Sequence, residues 1–201
     1  MMFTEFPKMA RLSRECIITE KIDGTNAQVM IREMQDGEQA SFNDEAVAMI
    51  GNYRIYAGSR TRWVSPQSDN YGWAAWVVAN AEELVKLGPG SHFGEWWGQG
   101  IQRKYGMKEK RFSLFNVDRW NDDAIRPACC HVVPQIYRGE FRTEFVFHAL
   151  ASLRENGSFA SPGFMNPEGV VVFHIAGNVG FKKTIEKDKV PKGMANANSN
   201  G

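Results

Sequence analysis

The chain has 201 residues, 43% of them apolar and 23% charged, the composition of a globular domain with material for a substantial core. Lys plus Arg number 24 against 23 Asp plus Glu, a formal net charge of +1, so no global basic field recruits a polyanion and any nucleic acid must be held by a local patch. No apolar run is long enough to span a bilayer, and the N-terminal MMFTEFPKMARLSR is too broken by charge and proline for a signal peptide, so a soluble, cytoplasmic protein, without a membrane or an inferred protein partner, is expected.

In chain order, β-rich segments are predicted over Cys16–Ile22, Ala27–Arg32 after the Asp23-Gly24 turn signal, and Tyr53–Ser59. From Trp73 to Leu87 the residues Trp73, Trp76, Val77, Ala81, Leu84 and Val85 recur at helical spacing until Gly88-Pro89-Gly90 stops them. Strands follow over Phe93–Trp97 and Phe112–Val117, then a second helix over Glu144–Arg154 ending at Asn156-Gly157. Strands over Gly169–Ile175 and Val179–Thr184 complete the set. Strands in hairpin-like succession with two helices and no βαβ alternation predict an α+β domain of mostly antiparallel sheets flanked by helices over 1–186. The remainder, 187–201, with its Pro, Gly and Asn-rich finish, is expected to be a flexible tail. Cys16, Cys129 and Cys130 form neither a Cys-x-x-Cys pair nor, with His131, a zinc site, and are expected to pack.

The chemistry concentrates in Glu20-Lys21-Ile22-Asp23-Gly24-Thr25-Asn26, at the junction of a strand and a tight turn. A neutral lysine amine is a good nucleophile toward phosphorus, and the phosphoramidate it forms keeps the group activated for transfer. Lys-x-Asp-Gly alone occurs by chance in roughly one chain of this size in 20, so its weight comes from its companions downstream. Ser59-Arg60-Thr61-Arg62, with Arg60 and Arg62, offers guanidinium groups for phosphate or ribose oxygens. Glu95 stands as a solitary acid in Phe93-Gly94-Glu95-Trp96-Trp97-Gly98, and a ribose hydroxyl is a suitable donor for it. The strand Phe112-Ser113-Leu114-Phe115-Asn116-Val117 can present one ring to a base. Glu168 opens an apolar strand and Lys182-Lys183 sit on the next, a carboxylate and ammonium groups suited to Mg²⁺ and a phosphate chain. Between Gln102 and Arg111 a basic run interrupted by Tyr105 offers cations for a phosphate backbone and a ring to stack.

In this order, the segments from Glu20 to Lys183 resemble the motifs of the covalent nucleotidyltransferase superfamily of polynucleotide ligases and capping enzymes, and most of all the phage-type ATP-dependent RNA ligases of the nick-sealing branch. Asn26, five residues after the lysine, carries that distinction, since DNA ligases usually have Arg there. The resemblance implies a ligase-type adenylation fold and Lys21 as the residue that takes AMP from ATP. It implies the Glu20 backbone beside adenine, Asn26 near the phosphates, Arg60 on nucleotide or substrate phosphate, Glu95 on ribose and Phe115 on adenine. Glu168 would place Mg²⁺ or Mn²⁺, and Lys182 and Lys183 would bind the α-phosphate. RNA ends would be joined through an AMP-capped 5′ end. A DNA nick ligase, a GMP-transferring capping enzyme and a non-catalytic nucleotide- or RNA-end-binding module are the alternatives.

Two departures stand out. The family's last motif usually reads Lys-x-Lys, whereas Lys182 and Lys183 are adjacent and Thr184 follows; successive strand residues face opposite ways, so only one of the two is expected to point at the phosphate. The chain also ends soon after that motif, so the nucleotidyltransferase domain alone is expected.

Overall fold

Lys21 and Ile22 mark the point where the chain passes from one compact unit to another. The computed structural model describes residues 2–35, 45–69, 71–186 and 188; a first unit comprises Met1–Lys21 and Pro134–Gly201, and a second comprises Ile22–Val133. In chain order the elements are β1 (Glu15–Lys21), β2 (Thr25–Glu33), β3 (Ala48–Ile50), β4 (Tyr53–Gly58), β5 (Trp63–Val64), α1 (Trp73–Ala79), α2 (Ala81–Leu84), β6 (Gly90–Gly98), β7 (Lys110–Leu114), α3 (Val117–Trp120), β8 (Cys130–Val132), β9 (Gln135–Glu140), α4 (Thr143–Asn156), β10 (Gly169–His174) and β11 (Val179–Thr184). The α+β class and the dominance of antiparallel pairing follow the sequence reading. The expected tail at 187–201 lies outside the described residues apart from Asp188.

In the first unit the sheet order is β11-β10-β1-β9. β1 is interior, paired on both edges, and its residues Cys16 to Glu20 are buried on both faces. Cys16 and Ile18 share a face with Val170 and Val172, and α4 covers it with Val146, Ala149, Leu150 and Leu153. The helix ends at Gly157, whose φ of 79° suits glycine and whose N–H reaches the Leu153 carbonyl.

In the second unit the order is β3-β4-β2-β6-β7-β8, with β5 paired to β4. One face carries Ala27, Val29, Ile31, Ile55, Trp96, Phe112 and Leu114, packed against Trp73, Val77, Ala81 and Leu84 from α1 and α2. The single helix expected over Trp73–Leu87 is broken at Asn80, whose side-chain amide donates to the Trp76 carbonyl at 2.8 Å and whose φ of −114° leaves the helical region. The strand expected over Phe112–Val117 stops at Leu114, because the Asn116 side chain accepts the Arg119 N–H and starts α3. That helix carries the chain to β8, which pairs parallel with β7, so one parallel pair interrupts the antiparallel pattern.

Candidate active site

Lys21 ends β1 opposite Gly169, the first residue of β10. Its Nζ donates to Glu168 Oε2 at 2.6 Å, with side-chain exposures of 17% and 6%. Two residues 147 apart in sequence are thus one ion pair, because β1 and β10 are neighbours and Glu168 immediately precedes β10. In a mostly buried pair of this kind, removing one partner leaves the other charge uncompensated, which costs more than breaking a surface bridge.

Glu20, next to it, faces α4. Its carboxylate accepts the Ser158 hydroxyl at 2.6 Å and the Ala160 N–H at 2.9 Å, while its own N–H donates to the Pro134 carbonyl. Burial raises its pKa above the ordinary value of 4.5, and the hydrogen bonds from Ser158, Ala160 and Phe159 oppose that rise. No local signal marks Ser158 as its partner; the two are 138 residues apart.

On β11, Lys183 lies opposite Val170 and Lys182 opposite Val171. Val170 belongs to the face under α4, so Lys183 shares that face; its Nζ donates to Asp188 at 2.5 Å. Lys182 shares the other face with Thr19, which is opposite Val171, and with Lys21 two residues further along β1. Lys182 is exposed.

In the second unit the Asp23-Gly24 turn is held by side chains from elsewhere. The Asp23 N–H donates to the Tyr105 hydroxyl at 2.8 Å, Arg103 Nε donates to Asp23 Oδ2 at 3.1 Å, and the Gly24 N–H donates to Glu95 Oε1 at 3.0 Å. Gly24 has to be glycine: a Cβ there would press on the Trp96 carbonyl oxygen and sit 2.7 Å from Trp97 Cβ. Asn26 lies directly opposite Glu95, and Glu95 opposite Ser113, on the face of the sheet away from α1 and α2. Phe115, one residue beyond β7, alternates with the core residue Leu114 and is 42% exposed. Arg60 is exposed in the turn between β4 and β5, which the Ser59 N–H closes on the Arg62 carbonyl.

The basic run at 102–111 is only partly available. Tyr105, expected to stack on a nucleic acid, is 1% exposed and meets Trp97 edge-on, so its ring is core. Arg103 is engaged by Asp23, Arg111 by Glu109, and Lys110 by the Tyr71 carbonyl, which leaves Lys104 and Lys108 as its exposed lysines. Cys130 packs in the core with Cys129 against it, as expected.

Among the described residues no three His, Cys, Asp or Glu side chains group as a metal cage. A single carboxylate such as that of Glu168 is an oxygen donor of the kind that suits a divalent ion keeping several waters and binding substrate phosphates.

A family model described as RNA ligase matches residues 14–185. The chain belongs to the RNA ligase family. The match encloses Lys21, Asn26, Arg60, Glu95, Phe115, Glu168, Lys182 and Lys183. Among solved structures the chain is similar to an apo variant of Naegleria gruberi RNA ligase R4a, at 19% identity and a TM-score of 0.57 over 86% of this chain and 50% of that one. A variant of Naegleria gruberi RNA ligase with ATP and Mn matches at 18% identity and a TM-score of 0.56, with the same coverage. The Naegleria ligase with PPi gives 18% and 0.55, again over 86% and 50%. At such identities the likeness concerns the fold, and the chain spans about half the length of the structures it matches. No curated protein matches it.

Proposed function

We propose that residues 1–186 form an ATP-dependent RNA ligase's nucleotidyltransferase domain, with Lys21 as the residue that carries AMP. The observation supporting this most directly is the 2.6 Å pair of Lys21 with Glu168 inside a Lys-x-Asp-Gly setting, in a chain of the RNA ligase family. In the reaction, the neutral Lys21 Nζ attacks the α-phosphorus of ATP. The N–P bond forms, the bond from that phosphorus to the bridging oxygen breaks, pyrophosphate leaves and the nitrogen gives up a proton. Glu168 accepts from the same Nζ at 2.6 Å, so the carboxylate lies within reach of the nitrogen that attacks.

Lys182, on the same sheet face as Lys21, supplies positive charge to the α-phosphate as it builds in line. Lys183 is engaged by Asp188. The exposed ring of Phe115 stacks on adenine, Glu95 meets the ribose, Arg60 and Asn26 serve the phosphates, and the Glu20 backbone borders the base. Glu168, the carboxylate that receives Lys21, would hold Mg²⁺ or Mn²⁺, which would neutralise phosphate charge when bound. AMP next passes to a 5′-phosphate end of RNA, and a 3′-hydroxyl displaces it to seal the strand. ATP and Mn in a structural neighbour are consistent with this choice of nucleotide and metal class.

The test is covalent labelling followed by sealing. With ATP and Mg²⁺ the protein gains the mass of one AMP, removable by pyrophosphate, whereas Lys21→Ala and Lys21→Arg gain none, because a guanidinium stays protonated. Nicked duplexes with RNA or DNA on each side of the break are then sealed where RNA is present. An adduct mapped to another lysine, or a labelled protein that seals only all-DNA nicks, overturns the reading.

A further inference from the structure

The segment joining β6 to β7 contains unusual backbone at three residues that are not glycine. Gln102, Lys104 and Tyr105 have φ of 44°, 60° and 49°, in the left-handed region that a Cβ disfavours. Such conformations persist where their surroundings over-determine them, and they concentrate where the strain serves a purpose.

Here the surroundings are visible. The Tyr105 ring is buried edge-on against Trp97, at 5.0 Å between centroids and 75° between planes, and Trp97 Nε1 donates to Ser113 at 2.9 Å. The rigid ring delivers a hydroxyl to the Asp23 N–H, 82 residues earlier. Arg103, two residues before it, delivers its guanidinium to the Asp23 carboxylate, both side chains being mostly covered at 23% and 16% exposure. Lys104 between them points to solvent. With Glu95 on the Gly24 N–H, two successive amides and one carboxylate of the turn are each met by a side chain.

We propose that Arg103 and Tyr105 are positioning residues that hold the Asp23-Gly24 turn for formation of lysyl-AMP. The proposal rests on the reading of Lys21 as the nucleophile. Lys21 stands two residues before Asp23, so looseness in the turn becomes looseness at the end of the strand that carries the attacking amine. In-line attack tolerates little misplacement, and small displacements cost rate rather than affinity for the nucleotide.

The experiment uses the full chain and single-turnover adenylation. Tyr105→Phe keeps the ring and removes the acceptor; the expected result is a rate at saturating ATP about tenfold lower, with half-saturating ATP and the melting temperature nearly unchanged. Arg103→Met is expected to lose a similar factor and Arg103→Lys to recover much of it. Combining Arg103→Met with Asp23→Asn is expected to cost little more than either alone. Hydrogen exchange at the Asp23 amide is expected to quicken in Tyr105→Phe. If Tyr105→Phe adenylates at the wild-type rate, or the Asp23 amide exchanges unchanged, the proposal is overturned. If wild type forms no adduct at all, the nucleophile reading falls, and the exchange measurement alone decides whether Tyr105 holds the turn.

Discussion

Lys182 and Lys183 are neighbours in sequence and face opposite sides of one sheet. Lys183, across from Val170, lies on the side covered by α4 and is paired with Asp188, while Lys182, across from Val171, lies on the side that carries Thr19 and Lys21. The register thus turns Lys-Lys-Thr into one outward lysine and one tethered lysine.

Lys182→Ala is accordingly expected to slow lysyl-AMP formation by about 100-fold, the scale of one lost charge-stabilising donor. Lys183→Ala, which loses a partly exposed ion pair, is expected to change the rate by about twofold and stability by less than about 1 kcal/mol. Quench-flow labelling of both variants with α-labelled ATP checks this, and a reversed order of severity would reassign the phosphate ligand.

Glu168 and Phe115 are expected to fail in different ways. Glu168→Ala removes the carboxylate that receives Lys21 and is proposed to hold the cation, so its adenylation defect is expected to shrink as Mg²⁺ or Mn²⁺ is raised. Phe115→Ala removes an exposed ring and is expected to weaken ATP binding by about tenfold, with the maximal rate within about threefold. Metal and ATP titrations of both variants separate the two. A Glu168→Ala protein indifferent to metal concentration would remove that residue from the metal's neighbourhood.

Glu20 predicts a pH dependence of stability. Its folded pKa is raised, chiefly by burial, so its favourable contribution is present below the unfolded value near 4.5 and is lost as pH rises through the folded value. Between those two values wild type loses stability on this group's account, and Glu20→Gln, which cannot ionise, does not. Denaturation midpoints of both proteins from pH 4 to pH 8 are expected to diverge in that sense; parallel curves would show that Glu20 titrates as it does in the unfolded chain.

The interior position of β1 is legible in the unbroken apolar run at Cys16–Ile18, and the Asp23-Gly24 turn in its residue types. Lys21, Glu95 and Glu168 can be picked out because each stands beside a local pattern. What one sequence does not show is register. The opposite faces of Lys182 and Lys183 are a matter of alternation, but which of them shares the side of Lys21 depends on Lys21 pairing with Gly169 and not with Val170. The break at Asn80 escapes a periodicity argument because Ala81 and Leu84 still face the core on the far side of it. β9 is missed because it is a sheet edge whose residues are partly exposed throughout, with no apolar alternation. Ser158, Arg103 and Tyr105 escape because their partners lie 80 to 138 residues away.

The second unit is an uninterrupted stretch of chain, while the first takes β1 from before it and β9, β10 and β11 from after it. During synthesis from the N-terminus, β2 to β8 can find all their partners within a continuous span, whereas β1 must wait for residues more than a hundred positions downstream. β9 can pair with β1 first, but until β10 emerges Lys21 has neither its partner Gly169 nor Glu168. The Lys21–Glu168 pair is consequently among the last features of the molecule to be built, and a nascent or truncated chain lacking β10 would carry Lys21 without the carboxylate that receives it. Loop closure over so long a span also makes this sheet the slower of the two to form.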